Sequence, residues 1–337
     1  MKDSGIIKVS IIVLNYNGIQ FLRKCLPSIQ KQTYKNIETI VTDNNSTDGS
    51  QKYVKSLGWV KILENKQNYG YTTANNLAAL KTSGKLLLFL NNDTELFPDA
   101  IESMIKCYKP KTVVAPAQII TGNKKRDKVG SAGPGMDIFG YSYVNTDLPK
   151  TKMFYVDGAA ILIGKKDFLK IGKFDDELFI FHEDVDLSWR AQIFGYKLIR
   201  CWESKLFHYS GGNVTGGSRV SAGKYTASYN RLYLNQKNVI RNLIKNYSLP
   251  FLLIILPSLI AIHFFEILVL CALGQFLAVN CYFLAYKWNI QNLESTLKLR
   301  RWIQKRRTVS DFKLISKMYF AYSKITALYR LGLPSFK

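Results

Sequence analysis

The sequence predicts an α/β fold with a Rossmann-like, mostly parallel sheet that is covered by helices on both faces. Short apolar runs alternate with segments of helical spacing between residues 9 and 108, as strands and crossover helices do in such folds. The runs are continuously apolar, which is typical of strands buried on both faces. Acids or amides follow several runs, at the sheet edge where open α/β sheets bind ligands.

Each predicted strand is a short run of β-branched or other apolar residues. The strands are predicted at residues 9–14, 37–42, 59–63, 86–90, 113–120, 156–163 and 196–202. The glycine-rich stretch 130–140 interrupts this pattern and predicts a mobile loop.

The predicted helices carry apolar residues at helical spacing and have recognisable ends. Polar residues 45–48 offer N-caps for a helix that ends near Leu57. A Ser-Gly pair at 83–84 ends the third helix, and Pro98 suits the first turn of the fourth. These third and fourth helices are predicted at residues 71–80 and 98–108, and the remaining ones at residues 19–29 and 187–194.

Two common nucleotide-binding motifs are absent from the sequence. The first strand–helix turn reads Asn15-Tyr16-Asn17-Gly18, which lacks the GxGxxG fingerprint, and no P-loop is found. The usual dinucleotide and ATP sites are therefore disfavoured. A nucleotidyltransferase is disfavoured too, because residues 15–26 do not form a glycine-rich loop with Arg or Lys.

Residues able to hold a metal or a proton follow four apolar runs: Asp43, Asp93 in LNND, Glu183 and Asp184 in HEDVDLSWR, and His208 in LFHYSG. Carboxylate and imidazole groups suit Mg²⁺ or Mn²⁺, and a carboxylate before a helix suits a general base. Each site also has a structural alternative. Asn and Asp start turns, acids cap helices, and a lone His is often structural.

These residues lie in strings that together resemble a known family. In chain order the strings are SIIVLNYNG, DNNSTDGS, NYGYTTANN, LNND, DGAAILIGKKDFLKIGKFDDELFIFHEDVDLSWR and LFHYSGG. Their combination resembles a family 2 inverting glycosyltransferase with the GT-A fold. The most similar branch is the rhamnosyltransferase-like one, which builds bacterial or archaeal surface glycans. The resemblance covers roughly residues 8–245.

The resemblance implies a role for each matching position. Asp184 is the expected catalytic base, with Glu183 as the second candidate, and Asp93 and His208 are the expected ligands of Mg²⁺ or Mn²⁺. Asp43 is expected to hydrogen-bond the pyrimidine base. The other expected nucleotide and donor residues are Leu14, Asn15, Asn17, Asn68, Gly70, Asn75, Asn91 and Asn92, and Asp157 and Gly158 are expected to border the acceptor.

One position departs from the family pattern. The metal-binding motif DxD reads Asn91-Asn92-Asp93 here, with an amide in its first position. The last acid is the one that this family uses most directly on the metal, so the resemblance still implies a metal site. Weaker metal affinity is expected, and Asn91 is a candidate ligand for the ribose or for metal-bound water.

Charge divides the chain into four expected regions. Residues 1–222 form the expected catalytic domain, with a nucleotide-binding half at 1–110 and an acceptor half at 111–222. Residues 223–248 carry five basic residues and no acid, and they predict an amphipathic helix on a lipid surface. Residues 249–286 contain one formal charge, Glu266, and residues 287–337 form a basic cytoplasmic tail with 12 basic and two acidic residues.

The apolar region 249–286 predicts a membrane-associated helical segment. A single spanning helix needs about 20 residues. The region has 38 positions, which suit two short passes better than one. Basic residues flank it on both sides, and they mark both flanks as cytoplasmic. We therefore expect a helical hairpin split near Glu266. The alternatives are one span or a non-spanning structure, which would be either monotopic or a buried helical pair. Anionic lipids are the expected partner of the basic flanks, and nucleic acid is not, because no nucleic-acid motif is present.

The predicted function is metal-dependent transfer of a sugar to a hydroxyl of a membrane- or lipid-linked glycan, on the cytoplasmic side of the cell membrane. By resemblance the donor is TDP-rhamnose or a UDP-linked hexose. The alternative is a catalytically idle scaffold that binds sugar nucleotides in a glycan assembly complex. The five cysteines lack CxxC spacing, which favours reduced thiols.

Overall fold

A computed structural model describes residues 6–120, 128–129, 134–143, 153–209, 219–221, 224–332 and 335–336. The strands are β1 Val9–Asn15, β2 Ile37–Asp43, β3 Lys61–Glu64, β4 Leu86–Asn91, β5 Thr94–Leu96, β6 Thr112–Ile120, β7 Lys128–Val129, β8 Gly135–Met136, β9 Ser142–Tyr143, β10 Ala160–Gly164, β11 Lys197–His208, β12 Arg219–Ser221, β13 Lys224–Ala227 and β14 Ser335–Phe336. The helices are α1 Ile19–Gln30, α2 Ser50–Ser56, α3 Gly70–Leu80, α4 Ala100–Cys107, α5 Lys165–Ile171, α6 Glu183–Ile193, α7 Tyr229–Asn246, α8 Leu249–Ala272, α9 Phe276–Gln291, α10 Leu293–Lys305, α11 Asp311–Ile315 and α12 Ser323–Leu331.

The main sheet has the strand order β3-β2-β1-β4-β10-β6-β11-β5, with β7 paired to β6. Strands β1 to β4 pair in parallel, as predicted. Strand β10 runs antiparallel to both of its neighbours, β4 and β6, and β5 runs antiparallel to β11. Strands β6 and β11 pair in parallel. The predicted α/β fold is confirmed, but the sheet is mixed rather than parallel throughout.

The parallel half brings several sequence-distant polar residues to one edge. In its register Asn15 lies beside Asp43, and Leu14 lies beside both Thr42 and Asn91. The strands are held by a core of fully buried aliphatic residues such as Ile11, and the apolar faces of α1 and α4 pack on it. The carboxyl ends of β1, β2 and β4 therefore emerge together, as a ligand-binding edge requires.

Several predicted elements have different bounds in the structure. Helix α6 begins at Glu183 rather than at 187, so the acidic cluster forms its first turn. Strand β11 extends to His208, with an irregularity between Cys201 and Lys205. Of the predicted loop 130–140, residues 130–133 lie outside the described residues, and β8 at residues 135–136 forms a small antiparallel pair with β9.

Helix α7 corrects the expectation of a lipid-facing amphipathic helix. Every residue from Gln236 to Asn246 is buried. The polar side chains of this face bond the protein itself: Arg241 pairs with Asp175 at 2.7 Å, and Lys245 pairs with Asp186 at 2.9 Å. The polar stripe that suggested a lipid surface is therefore an internal ion network.

The apolar region folds as two helices joined by residues 273–275, and the second helix, α9, continues to Gln291, beyond the predicted end at 286. The division falls after Ala272 rather than near Glu266, which lies inside α8. By length and composition, α8 is the one helix among the described residues that could cross a membrane.

The proximity of Cys107 and Cys201 was not predicted: their Cα atoms lie 6.0 Å apart and their sulfurs form a disulfide.

Candidate functional site

The first part of the candidate site surrounds Asp43 at the end of β2, which is 1% exposed. One carboxylate oxygen accepts from the Ser46 backbone N–H and from Gln51 Nε2, both at 2.8 Å. The other accepts from Asn15 Nδ2 at 2.8 Å and from the Ser46 hydroxyl at 2.7 Å. Four donors thus fix the carboxylate. A bound base would have to replace one of them, because a carboxylate accepts about four hydrogen bonds.

Asparagines extend this network along the edge of the sheet. Asn92 Nδ2 donates to Asn15 Oδ1 at 2.7 Å, which joins the turn after β4 to the end of β1. Asn17 has a positive φ of 49°, and its side-chain oxygen accepts from the Thr47 N–H at 2.8 Å. The half-buried Leu14 packs against the neighbouring core. The predicted residues at the ends of β1, β2 and β4 therefore form one connected polar surface.

A second group of predicted residues shapes the start of α3. Asn68 Oδ1 accepts from the Gly70 N–H at 2.9 Å and from Asn44 Nδ2 at 3.1 Å. Gly70 has a φ of 73°, and a Cβ atom there would lie 2.5 Å from Phe179. Only glycine fits this close approach. Asn75 lies one turn further on, 1% exposed, and its Nδ2 donates to the Tyr71 carbonyl within the helix.

The predicted metal ligands meet in space although 115 positions separate them. His208 Nε2 lies 3.3 Å from Asp93 Oδ1, and both side chains are largely buried. The Tyr209 N–H donates to the Asp93 carbonyl at 2.9 Å, which fixes the end of β11 against the turn after β4. Burial lowers the pKa of His208, but the hydrogen bond and charge of Asp93 outweigh it, and the net shift is upward.

The predicted base Asp184 is buried in the first turn of α6. One carboxylate oxygen accepts from the Gly158 N–H at 2.9 Å and the other from the Val185 N–H at 2.7 Å. Burial and then the nearby Asp157 carboxylate raise the pKa of Asp184 to about 7, although the two amides oppose that shift. A carboxylate with a pKa near neutral pH is well suited to general-base catalysis.

Glu183 differs from its neighbour in its surroundings. Burial and then the charge of Asp184 raise the pKa of Glu183 well above its usual range. Its Oε2 atom is buried and has no hydrogen-bond partner among the described residues. Of the two adjacent acids, Asp184 is therefore the one that exchanges a proton near neutral pH.

Asp157 connects the metal-ligand pair with the base. Its charge contributes to the upward pKa shifts of both His208 and Asp184, and the N–H of Gly158, the next residue in the chain, donates to Asp184 at 2.9 Å. The Asn91 N–H donates to the Ala159 carbonyl at 3.0 Å, and this bond ties the end of β4 to the segment that holds Asp157. The predicted metal and base positions therefore lie in one neighbourhood, and the predicted acceptor residues lie between them.

Sequence reasoning did not find the residues that hold the chain just before the base. Three non-glycine residues there, Phe179, Phe181 and His182, have left-handed φ values of 66°, 69° and 61°. Such a conformation costs about 1–2 kcal/mol per residue. Asn238 of α7 compensates: its Nδ2 donates to the carbonyls of residues 178, 180 and 181 at 3.0, 2.9 and 2.7 Å. No local sequence pattern marks a side chain that acts 57–60 positions away.

The donor set at Asp93 and His208 fits a divalent cation. Asp93 offers a carboxylate oxygen and His208 an imidazole nitrogen 3.3 Å away, and both are ligand types that Mg²⁺ and especially Mn²⁺ accept. Both ligands come from ordered elements, the turn after β4 and the end of β11. The exposure of these side chains, 10% for Asp93 and 15% for His208, leaves the pair reachable from one side.

Comparison with known proteins gives consistent similarities. Residues 10–172 match the profile described as "Glycosyl transferase family 2". The chain is 38% identical over 119 residues to glycosyltransferase GlyA of Streptococcus pneumoniae, covering 34% of this chain and 16% of that protein. It is 30% identical over 184 residues to the uncharacterized glycosyltransferase RP339 of Rickettsia prowazekii, covering 53% of this chain and 57% of that protein. The O-antigen biosynthesis protein RfbC of Myxococcus xanthus is 27% identical over 228 residues, which cover 61% of this chain and 17% of RfbC.

Two solved structures share the fold. GalNAc-T7, determined with UDP, GalNAc and Mn²⁺, superimposes with a TM-score of 0.59 at 18% identity, over 74% of this chain and 49% of that one. The mannosyltransferase PcManGT of Pyrobaculum calidifontis, determined with GDP-mannose and Mn²⁺, has a TM-score of 0.53 at 13% identity, over 97% and 88% of the two chains. At these identities the likeness establishes the GT-A fold alone.

Proposed function

Because residues 10–172 of this chain belong to glycosyl transferase family 2, we propose that the protein transfers a sugar from a nucleoside-diphosphate sugar to a hydroxyl group. One observation supports this proposal: residues 157–159 join the two parts of the site, because the Asn91 N–H donates to the Ala159 carbonyl near the Asp93–His208 pair and the Gly158 N–H donates to the base Asp184. A glycosyl transfer needs these two functions side by side, because a diphosphate leaves from one face of the sugar while a hydroxyl attacks the other.

The residues of the site divide the work as follows. Asp93 and His208 would hold Mg²⁺ or Mn²⁺, which when bound neutralises charge on a departing diphosphate. Asp184 takes the proton of the attacking acceptor hydroxyl, a contribution of about 10²–10⁴-fold. The bond to the new oxygen forms on the face opposite the breaking bond, so one displacement inverts the anomeric carbon. No covalent enzyme intermediate is needed.

The remaining predicted residues bind and orient the donor. Asn15, Asn17 and Asp43 line the edge where the nucleoside is proposed to lie, and Asn68 and Gly70 shape the turn beside it. The short approach between Gly70 and Phe179 joins this turn to the segment before Asp184. This contact ties the proposed donor-binding turn to the segment that leads into the base.

The proposed donor is TDP-rhamnose or a UDP-linked hexose, and the proposed acceptor is a membrane- or lipid-linked glycan at the cytoplasmic side of the membrane. The similarity to a protein named for O-antigen biosynthesis supports a surface polysaccharide as the product. The apolar helix α8 and the net charge of +10 on residues 287–337 support the membrane location.

The amide Asn91, which occupies the first position of the metal motif, favours one second candidate. With fewer charged ligands, the chain could bind a sugar nucleotide without turning it over, as a scaffold in a glycan assembly complex. Binding is expected from both candidates, whereas only the enzyme releases nucleoside diphosphate.

The test is a thermal-shift screen of nucleotide sugars with and without Mn²⁺, followed by measurement of nucleoside diphosphate released by the stabilising donor. A selective ligand raises the melting temperature by mass action. We expect Mn²⁺-dependent release in the parent chain and in Glu64→Gln, a matched control at a partly exposed acid that pairs with Lys55. Asp184→Asn should keep the thermal shift and lose release. Binding without release in the parent chain would establish the scaffold instead.

A further inference from the structure

The hairpin of α8 and α9 has one face that packs on the protein and an opposite face of exposed apolar side chains. Ile255, Leu259 and His263, which recur every four residues, are the buried residues of α8. Large apolar side chains on the other side are each at least 58% exposed: Leu253, Ile254, Phe264, Phe265, Phe276 and Phe283. A large exposed apolar patch on a folded protein marks an interaction site.

The inner face of α8 is bonded to the rest of the protein from its beginning to its last third. At the start, the Ser248 N–H donates to Asp311 Oδ2 at 2.6 Å. Further along, His263 Nε2 lies 2.8 Å from the Tyr141 hydroxyl, which belongs to the segment between β8 and β9. A helix that leaves its domain to cross a membrane would not keep such bonds along its length.

Glu266 forms the last of these attachments. It pairs with Lys324 of α12 at 2.9 Å and accepts from the Tyr322 hydroxyl at 2.9 Å. From Ser248 to Glu266 the helix rises about 27 Å at 1.5 Å per residue. That distance is close to the hydrocarbon thickness of a bilayer, about 30 Å. Protein therefore covers the inner face of α8 over nearly the depth that a spanning helix needs.

The partners at this end are in turn fixed to the catalytic part of the chain. The backbone N–H and the hydroxyl of Ser323 donate to Asp137 Oδ2 at 2.7 and 2.6 Å. The Ile138 N–H donates to the Tyr319 carbonyl at 3.0 Å. If α8 crossed a bilayer, these polar groups and the Glu266–Lys324 pair would lie at membrane depth, where charged and irregular segments are costly.

We infer that the α8–α9 hairpin is a monotopic anchor, whose exposed face enters one leaflet of an anionic bilayer while its inner face stays packed on the domain. This inference rests on the membrane location proposed above and defines its geometry. It places the turn at residues 273–275 on the same side of the membrane as the catalytic domain.

Charge identifies the occupant as a lipid surface rather than a second copy of this chain. Lys287 is an exposed basic residue near the end of α9, and further exposed basic residues follow the hairpin: Lys298, Arg301, Lys305, Arg306 and Lys313. Two basic tails brought together in a dimer would repel each other, whereas anionic head groups attract each Lys or Arg near the lipid surface by about 1 kcal/mol. Exposed aromatic residues of the tail, Phe312, Phe320 and Tyr329, provide the side chains that prefer a membrane interface.

The first experiment is flotation of the full-length protein with preformed vesicles. We expect binding to vesicles with phosphatidylserine, weaker binding to phosphatidylcholine alone, and release at high salt. Phe264→Glu with Phe265→Glu should reduce the floated fraction at least tenfold. Leu80→Glu, a matched change at a 54% exposed residue of α3, should leave it unchanged. Equal flotation of all three proteins would overturn the inference. It would also be overturned if the parent protein formed a dimer without lipid and the double variant were a monomer.

The second experiment uses Cys271, the one exposed free cysteine among the described residues, which lies near the hairpin turn. A membrane-impermeant maleimide is trapped inside sealed vesicles before the protein is added from outside. We expect no labelling of Cys271 in intact vesicles and full labelling after detergent. Labelling in intact vesicles would show that the helix crosses.

A third measurement separates this inference from the proposed catalytic function. Release of nucleoside diphosphate by the double variant is measured in detergent. If the double variant no longer floats with vesicles but still releases nucleoside diphosphate, the anchor and the catalytic site are independent of each other.

Discussion

Asp184 and Asp186 lie two residues apart in α6, and both are buried, but their pKa values are shifted in opposite directions. Burial and then Asp157 raise the pKa of Asp184 to about 7. Burial also acts on Asp186, but Arg190 and Lys245 outweigh it and hold its pKa below the usual value. Replacing each acid with asparagine should therefore change the stability of the protein in opposite directions.

The magnitude for Asp184 follows from its pKa. A rise from 3.8 to about 7 corresponds to at most about 4 kcal/mol, at about 1.4 kcal/mol per unit. Because the folded pKa exceeds the unfolded one, the folded state binds more protons between these values, and stability falls as pH rises from about 4 to about 7. Asparagine removes that cost above pH 7. It leaves the N–H of Gly158 or of Val185 without its acceptor, a loss of about 1–3 kcal/mol.

The expected result for Asp184→Asn is a free energy of unfolding about 1–3 kcal/mol higher than that of the parent at pH 8, with no gain at pH 4. Turnover should be lost at both pH values. Asp186→Asn is the matched control and should destabilise the protein by about 3–5 kcal/mol, because it breaks a buried ion pair. Urea unfolding at the two pH values measures both variants. A destabilised Asp184→Asn at pH 8, or one that retains turnover, would refute the reasoning.

Four other outcomes are expected. The parent's kcat/KM should rise with pH through about 7, because Asp184 works as a base only when deprotonated; a profile flat from pH 5 to 9 would contradict this. Asn238→Ala should lower kcat by about 10²-fold with little change in the KM for the donor. Asn238→Asp should lower kcat further, because its carboxylate also repels the three carbonyls. A rise in the donor KM as large as the fall in kcat would point to a donor-binding role instead. Gly70→Ala should reduce the melting temperature more than Gly58→Ala, because both glycines have positive φ but only Gly70 has a neighbour within 4 Å; equal losses would exclude the steric explanation. Asp93→Asn should abolish the Mn²⁺-dependent part of the thermal shift caused by the donor, and an unchanged Mn²⁺ response would remove Asp93 from the metal site.

The sequence predicts the first half of the sheet well because its signals are local. Each strand there is a continuous apolar run, and each helix has a cap or a glycine within a few residues. The second half depends on pairing partners instead. The apolar run of β10 reads the same whether it enters the sheet parallel or antiparallel, so its reversal between β4 and β6 left no trace in the sequence.

The polar face of α7 shows a second limit of sequence reasoning. Arg241 and Lys245 at helical spacing look alike whether they face lipid head groups or buried carboxylates. Their partners, Asp175 and Asp186, are 66 and 59 positions away. The disulfide between Cys107 and Cys201, 94 positions apart, was missed for the same reason. By contrast, Asp93 and Asp184 stand in strings specific enough for them to be proposed as site residues from the sequence alone.

Helix α7 also explains how the base could be held at a constant height above a membrane. On one side, its Lys245 pairs with both Asp175 and Asp186, which fixes the helix that carries Asp184. On the other side, Asn289 of α9 donates to the Lys237 carbonyl at 3.0 Å, which fixes the hairpin. With the hairpin seated in one leaflet, these bonds set the distance between the lipid surface and Asp184. An acceptor glycan attached to lipid would then meet the base only when its hydroxyl stands at that height, so α7 would select acceptors by the length of the sugar chain that separates the hydroxyl from the membrane.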